Sequence, residues 1–283
     1  MKSVRRLCAP ADIDQEEAVA KKALCIGIND YPGTDTDLSG CVNDAHDWAE
    51  TLGGRGFAVQ TLFDRHATRQ AMIDAITDLV HGAVRGDTVV MTYSGHGTWV
   101  PDKSGDEPDG RDEGLCPYDI GQGRVLLDDD LHEIFSGRAA RVRVILISDS
   151  CHSGSVSRGP EDDLDPNLPR ARFLAPAQWM NEGQLGPTEP TQPRALLGGM
   201  SRTGGDLLLA GCQDTEYSWD TRFGGRPNGA FTYYALKTLK TLPANASYAT
   251  WFSRIRDYLP SSRLPQHPQI LGSSRMRSAR VFE

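Results

Sequence analysis

Short apolar runs alternate with amphipathic stretches along the first third of the chain. Residues 23–28 form a compact apolar run, which is typical of a buried strand, and residues 42–52 carry apolar side chains at helical spacing before a glycine pair. The same order follows at 57–63, 68–80 and 87–93, where Thr68 is positioned to cap the second helix. This part of the chain is therefore predicted to fold as strand, helix, strand, helix and strand.

Similar patterns return further along the chain. Residues 144–147 form a β-branched run that predicts another buried strand, and a short helix is predicted to begin within 128–130. Because strands alternate with helices, right-handed crossovers and a mostly parallel α/β sheet are expected. The remaining predicted elements are a strand at 206–210, helices at 231–239 and 248–259, and a final apolar segment at 268–271.

Three segments lack such a pattern. Residues 1–20 are charged and predict a loosely held N-terminal arm, and residues 102–119 form an acidic, glycine-containing loop. Residues 155–204 contain many prolines and no sustained periodicity, which favours an exposed, irregular connection. With 283 residues and 39% hydrophobic content, one domain over residues 21–283 is expected.

Composition narrows the partners and the compartment. The net charge of -8 argues against nucleic acid or an anionic membrane as a partner, and it favours a cationic substrate. No apolar stretch approaches a membrane span or a signal peptide, so a cytoplasmic location is expected. The six cysteines show no CxxC spacing, which predicts reduced thiols rather than disulfides.

A histidine and a cysteine follow two of the predicted strands directly. His96 comes after the strand at 87–93, and Cys151 comes after the strand at 144–147. Because active sites of open α/β sheets lie at the carboxyl ends of strands, the pair predicts a cysteine nucleophile with a histidine base. The backbone N–H groups of Gly97 and Cys151 are the candidate oxyanion hole. Taken alone, His96 or Cys151 is more simply explained as a buried core residue. His152 also adjoins the nucleophile, but the side chains of adjacent residues usually diverge, so the base is predicted to be His96.

Five short segments form a recognisable series along the chain: LSGCVNDA at 38–45, YSGHG at 93–97, DSCHSG at 149–154, GCQD at 211–214 and GAFT at 229–232. They resemble segments of the metacaspases, which are caspase-like cysteine peptidases, and they occur in the order expected for that family. The resemblance covers roughly residues 21–283, whereas the animal caspase signature QACxG is absent. It implies a caspase-like fold, with helices on both faces of the sheet, and a cysteine endopeptidase.

The resemblance also implies which substrates are cut. Metacaspases cleave after arginine or lysine, and the aspartates of their basic-residue pocket correspond here to Asp44 and Asp149, with Cys41 and Ser94 as further wall residues. Two carboxylates would bind a guanidinium and repel an acidic side chain. The expected partners are thus proteins or peptides with basic residues. The alternative is that Asp44 caps a helix and Asp149 caps a loop.

Calcium is a second implication of the resemblance. The family's calcium ligands correspond to Asp112, Asp128 and Asp129, but the fourth ligand position holds Arg158, which would repel a cation. Glu161, Asp162 or Asp163 would have to substitute for it. The alternative is a solvated acidic loop whose aspartates complement a helix dipole.

The long connection suggests how the enzyme is regulated. An arginine-directed peptidase could cut itself there, or an upstream peptidase could do so; the alternative is a surface loop without regulatory meaning. Metacaspases are generally monomeric, so a monomer is expected. Two other functions stay open: a catalytically silent binding or scaffold module, and a different cysteine-histidine hydrolase. The arginines of the connection are Arg158, Arg170, Arg172, Arg194 and Arg202.

Overall fold

The computed structural model describes residues 19–102, 110–151, 168–180, 206–213 and 216–283. Nearly all of the predicted N-terminal arm therefore lies outside the described residues. None of the helices described is long and apolar enough to cross a membrane. In chain order the elements are β1 (Lys21–Gly27), α1 (Cys41–Gly53), β2 (Ala58–Phe63), α2 (Arg69–His81), β3 (Thr88–Ser94), β4 (Gly97–Pro101), β5 (Arg111–Leu115), β6 (Leu126–Leu127), α3 (Asp128–Ser136), β7 (Arg143–Asp149), β8 (Arg170–Ala171), β9 (Asp206–Ala210), β10 (Trp219–Phe223), β11 (Arg226–Gly229), α4 (Ala230–Leu239), α5 (Tyr248–Arg256), β12 (Gln269–Gly272) and α6 (Ser274–Ser278).

A six-stranded sheet forms the centre of the fold, in the order β12-β9-β7-β3-β1-β2. The strands from β9 to β2 pair in parallel, whereas β12 pairs antiparallel with β9 at the edge. β3 and β7 are neighbours, and their register places Ser94 opposite Asp149. The prediction of a mostly parallel sheet is confirmed, and the two predicted catalytic strands end side by side.

Helices cover both faces of this sheet. On one face, buried residues of α2 and α3 pack against the sheet in one apolar cluster. On the other face, α1, α4 and α5 form a second cluster, in which Trp48 and Trp251 pack edge to face with ring centroids 6.1 Å apart. Burial of these large apolar side chains stabilises the packing of both helix layers against the sheet.

The helix boundaries follow local chemistry. The Thr68 side chain accepts a hydrogen bond from the Ala71 backbone N–H, so Thr68 caps α2 as predicted. The helix predicted at 248–259 ends earlier, at Arg256. Pro260 follows closely, and the residue before a proline is disfavoured in helical conformation.

Two of the predicted irregular segments contain regular structure. The acidic loop at 102–119 contributes β5, which pairs with β4 and β6 in a small antiparallel sheet. Within 155–204, residues 168–180 contribute β8, which pairs with β10 in a second small sheet that β11 completes. These strands have only two to five residues. Such runs are too short for a period-two pattern to stand out, so the prediction of an exposed connection is wrong for residues 168–180.

Candidate active site

The predicted nucleophile and base lie just beyond two neighbouring strands. His96 follows β3, Cys151 follows β7, and both side chains are buried. The Cys151 Sγ accepts a hydrogen bond from the Ser218 backbone N–H over 2.6 Å. The parallel pairing of β3 with β7 therefore brings together at one sheet edge two residues that are 55 positions apart in the sequence.

The His96 ring is held by Tyr31 and by a backbone carbonyl. Its ring centroid lies 4.7 Å from that of Tyr31, whose hydroxyl accepts a hydrogen bond from the His96 backbone N–H. The ring nitrogen Nε2 lies 2.6 Å from the Thr36 carbonyl oxygen. Since a carbonyl only accepts, Nε2 carries the proton and Nδ1 is left as the basic nitrogen. Among the described residues Nδ1 has no hydrogen-bond partner, and burial lowers the pKa of His96 to about 4.

The predicted oxyanion hole converges on one oxygen atom. The backbone N–H groups of Gly97 and Cys151 both donate to the carbonyl oxygen of Arg172, at 3.0 and 3.1 Å. On the other side, the Arg172 backbone N–H donates to the Ser218 carbonyl oxygen over 2.9 Å. The site thus binds a peptide group from within the chain itself, and the bound carbonyl lies against the backbone of the candidate nucleophile.

The guanidinium of this same arginine fills an acidic pocket. Its Nη2 lies 2.7 Å from Asp44 and 3.5 Å from Asp220, and its Nη1 lies 3.3 Å from Asp149. All four side chains are at most 3% exposed, so water screens these charges little. Asp44, Asp149 and Asp220 together form this acidic pocket.

Backbone groups before and in the first turn of α4 fix two of these carboxylates. The Thr232 N–H donates to Asp149 over 2.8 Å, and the Gly229 N–H donates to Asp44 over 3.0 Å. The N-terminal end of a helix carries partial positive charge and stabilises buried carboxylates. Burial nevertheless raises the pKa of Asp44 to about 7, and the Arg172 guanidinium opposes that rise.

The predicted wall residues occupy different positions. Cys41, the first residue of α1, is fully buried near the acidic pocket; burial raises the pKa of its thiol, and the Arg172 charge opposes that rise. Ser94 ends β3 beside Asp149 in the sheet register and is buried. Both positions are compatible with the walls that the resemblance implies.

Two residues of this site were not found in the sequence. Asp220 supplies the third carboxylate, and Ser218 supplies both the N–H that contacts Cys151 and the carbonyl that contacts Arg172. Asp220 belongs to the short strand β10 and Ser218 adjoins it, and aromatic and polar residues alternate there from Tyr217 to Asp220. That alternation was the available signal, and it predicts a strand with one polar face.

The carboxylates predicted to bind calcium do not form a ligand cluster. Within the described ranges, no group of three or more histidine, cysteine, aspartate or glutamate side chains is placed to hold a metal ion. Asp112 lies in β5, whereas Asp128 and Asp129 begin α3. The substitutes at 161–163, and Arg158, fall outside the described residues. Calcium binding therefore stays a prediction, and no chemical step is assigned to the ion.

Comparisons with known proteins identify the family of this chain. A family model described as caspase domain matches residues 20–279. The chain belongs to the caspase-domain family. Metacaspase-1 of Cryptococcus neoformans is 32% identical over 93% of this caspase-domain chain, which spans 64% of that relative's length. The match supports the metacaspase branch of the caspase-domain family.

Solved structures confirm the caspase-like fold. A Geobacter sulfurreducens protein superposes on this caspase-domain chain with a TM-score of 0.69 and 31% identity, over 93% of this chain and 98% of that one. Caspase-1 of Spodoptera frugiperda superposes with a TM-score of 0.55 over 95% of this chain and 96% of its own, at 11% identity. The second likeness bears on the fold alone.

Proposed function

We propose that this chain is a cysteine endopeptidase that cleaves proteins after arginine, and less efficiently after lysine. One observation carries the proposal: an arginine of the chain has its guanidinium in the acidic pocket and its carbonyl oxygen on the N–H groups of Gly97 and Cys151. A substrate arginine bound in the same way would present its peptide carbonyl to the cysteine. The acidic pocket would repel an aspartate side chain, so cleavage after aspartate is not expected.

The mechanism follows from these positions. Neutral His96 accepts the thiol proton of Cys151, and the resulting thiolate attacks the substrate carbonyl carbon. The two N–H groups stabilise the negative charge that develops on the carbonyl oxygen. His96 then returns the proton to the leaving amine, and water hydrolyses the thioester. Burial lowers the pKa of His96 to about 4, so the ring is neutral near pH 7. Burial also makes it a weaker base, and the thiolate that forms as the proton is transferred stabilises the imidazolium.

The shape of the acidic pocket supports arginine over lysine. Nη2 is contacted by Asp44 and Asp220, whereas Nη1 is contacted by both the side chain and the carbonyl of Asp149. A lysine ammonium is a single point donor and cannot reach both groups from the same position. We expect an arginyl reporter to be cleaved roughly 10- to 100-fold faster than its lysyl counterpart, since hydrogen bonds to charged groups are lost.

Paired peptide reporters test this proposal. Purified wild-type protein and the Cys151→Ala variant are compared with arginyl, lysyl and aspartyl reporters of otherwise equal sequence. The proposal expects turnover of the arginyl reporter by the wild type and none by the variant. Equal turnover of the aspartyl reporter would refute the specificity, and turnover by the variant would refute the cysteine mechanism. No turnover at all would favour the alternative of a silent binding module.

Calcium enters as a further variable of the same assay. The resemblance implies calcium activation, so arginyl turnover is measured with added calcium and with a chelator. An unchanged rate under both conditions would exclude activation by calcium. We also propose that the chain is cytoplasmic, acts as a monomer and is activated by an upstream peptidase; these stay predictions, as calcium activation does.

A further inference from the structure

Residues 168–180, here called the docked segment, lie in the site as a substrate would. Arg170 and Ala171 form β8 and pair antiparallel with β10, with Ala171 opposite Trp219 and Arg170 opposite Asp220. The next residue, Arg172, fills the acidic pocket and both donors of the oxyanion hole. Three consecutive residues, Arg170 to Arg172, therefore make the contacts of a bound substrate: strand pairing with β10, a basic side chain in the acidic pocket and a carbonyl oxygen in the oxyanion hole.

The docked segment is also hydrogen-bonded on the C-terminal side of Arg172. The Leu174 N–H donates to the Gly97 carbonyl oxygen over 2.9 Å, and the Thr98 hydroxyl donates to the Leu174 carbonyl oxygen over 2.7 Å. The Leu174 side chain is fully buried, and the indole N–H of Trp179 donates to the Thr98 hydroxyl over 3.0 Å. The peptide bond between Arg172 and Phe173 is thus clamped by hydrogen bonds on both sides.

We propose that the chain cleaves itself between Arg172 and Phe173, and that Arg172 keeps other substrates out of the acidic pocket until that bond is cut. The inference rests on the proposed function. It selects one of the five arginines in the connection and one peptide bond. Arg170, two residues earlier, directs its guanidinium to the Asp37 carbonyl oxygen instead, over 2.8 Å.

The chemistry balances with water as the only co-reactant. The Cys151 thiolate attacks the Arg172 carbonyl carbon, the bond to the Phe173 nitrogen breaks, and His96 gives that nitrogen the proton it took from the thiol. Water then hydrolyses the thioester, which leaves a carboxylate on Arg172 and restores the thiol and the imidazole. Net, one water molecule is added across the Arg172–Phe173 bond.

Exclusion of other substrates follows from the same contacts. A foreign arginine would need the same three carboxylates and the same two N–H groups that Arg172 already occupies. Arg172 is tethered to the site on both sides, through β8 before it and Leu174 after it, which gives it a high effective concentration there. A cut after Arg172 removes the second of these tethers. With about 1% of molecules open, a typical minor population, the rate on a reporter before self-cleavage is about 100-fold below the final rate.

Two uncleavable variants separate cutting from blocking. Arg172→Gln removes the basic side chain, so the site opens without a cut, and arginyl turnover starts without a lag. Phe173→Pro keeps Arg172 in place, because the segment's bonds use the N–H groups of Arg172 and Leu174, but its imide bond resists cleavage. It is expected to stay about 100-fold below the activated wild type. The matched control Arg170→Gln is expected to cut after residue 172 as the wild type does.

Mass spectrometry and a binding probe complete the experiment. Fragment masses are expected to place the wild-type cut after residue 172, and a cut elsewhere would overturn the assignment. If Arg172→Gln fails to fold, Arg172→Lys, which keeps a basic side chain, is expected to cut at the same bond more slowly. In the Cys151→Ala background, which removes the nucleophile, 4-aminobenzamidine fluorescence reports whether the acidic pocket is free. Binding is expected only when Arg172 is also replaced.

The outcomes distinguish this inference from the proposed function. If arginyl reporters are cut but the wild type and Arg172→Gln show equal rates from the start, the blocking role is wrong and the peptidase function stands. If no variant cuts any reporter, the proposed function fails. The probe then still decides the occupancy of the acidic pocket, and equal binding with and without Arg172 would overturn it.

Discussion

Replacing Asp149 by alanine is expected to lower kcat/KM for an arginyl reporter by roughly 1000-fold, which corresponds to about 4 kcal/mol. The Asp149 side chain is 1% exposed and lies 3.3 Å from the guanidinium in the acidic pocket. Its loss removes a charge-assisted contact from a site that water screens little. Steady-state kinetics on the Arg172→Gln background, where the acidic pocket is predicted to be open, measure the effect without interference from self-cleavage.

A control on the opposite side of the fold separates this effect from general damage. Asp74 lies on α2, is exposed, and accepts a hydrogen bond from Gln70 on the same helix. Asp74→Ala is expected to leave kcat/KM unchanged. If Asp149→Ala retained arginyl turnover and had an unchanged circular dichroism spectrum, Asp149 would not be needed to bind the substrate arginine. An equal loss in both variants would point to folding instead.

Replacing Gly229 by alanine is expected to lower arginyl turnover by roughly 100-fold. A Cβ atom at this position would overlap the Asp149 carboxylate and the guanidinium that the acidic pocket holds. Gly229 also donates its N–H to Asp44, so it cannot move away without loosening a second carboxylate. Overpacking there must displace the charges that bind the substrate, and the KM for the arginyl reporter is expected to rise most.

Gly53→Ala is the matched control for this prediction. Gly53 ends α1, and an added Cβ would meet no described heavy atom within 4 Å. Its turnover is expected to match that of the parent protein. Full activity in Gly229→Ala would contradict the prediction, because it would mean that the acidic pocket tolerates a methyl group where the structure leaves no room for one.

The sheet and the two strand ends were predictable because each depends on local pattern. The run at 144–147 indicates a buried strand whatever it pairs with, and the change to polar residues after it marks where that strand ends. Parallel neighbours then bring His96 and Cys151 to one edge, as the structure shows. Asp44 and Asp149 were found only through the resemblance, because a single carboxylate beside a helix or strand has many ordinary explanations.

Asp220 and the role of Arg172 depend on long-range packing. Asp220 reaches the acidic pocket through a short hairpin whose strands, β10 and β11, have five and four residues. Arg172 looks like the other arginines of its proline-containing connection, and its sequence neighbours do not mark it. The pairing of β8 with β10 and the hydrogen bonds of Leu174 together set the register that places the Arg172 carbonyl at the candidate oxyanion hole.

Covalent labelling shows whether the chain is a cysteine peptidase directed to arginine. The wild type and Arg172→Gln are incubated with arginyl and aspartyl chloromethyl ketones of otherwise equal sequence, and the modified cysteine is located by peptide mass mapping. The arginyl reagent is expected to modify Cys151, and to do so faster in Arg172→Gln, while the aspartyl reagent is expected to leave Cys151 unmodified. Equal labelling by the aspartyl reagent, or modification of a different cysteine, would contradict it.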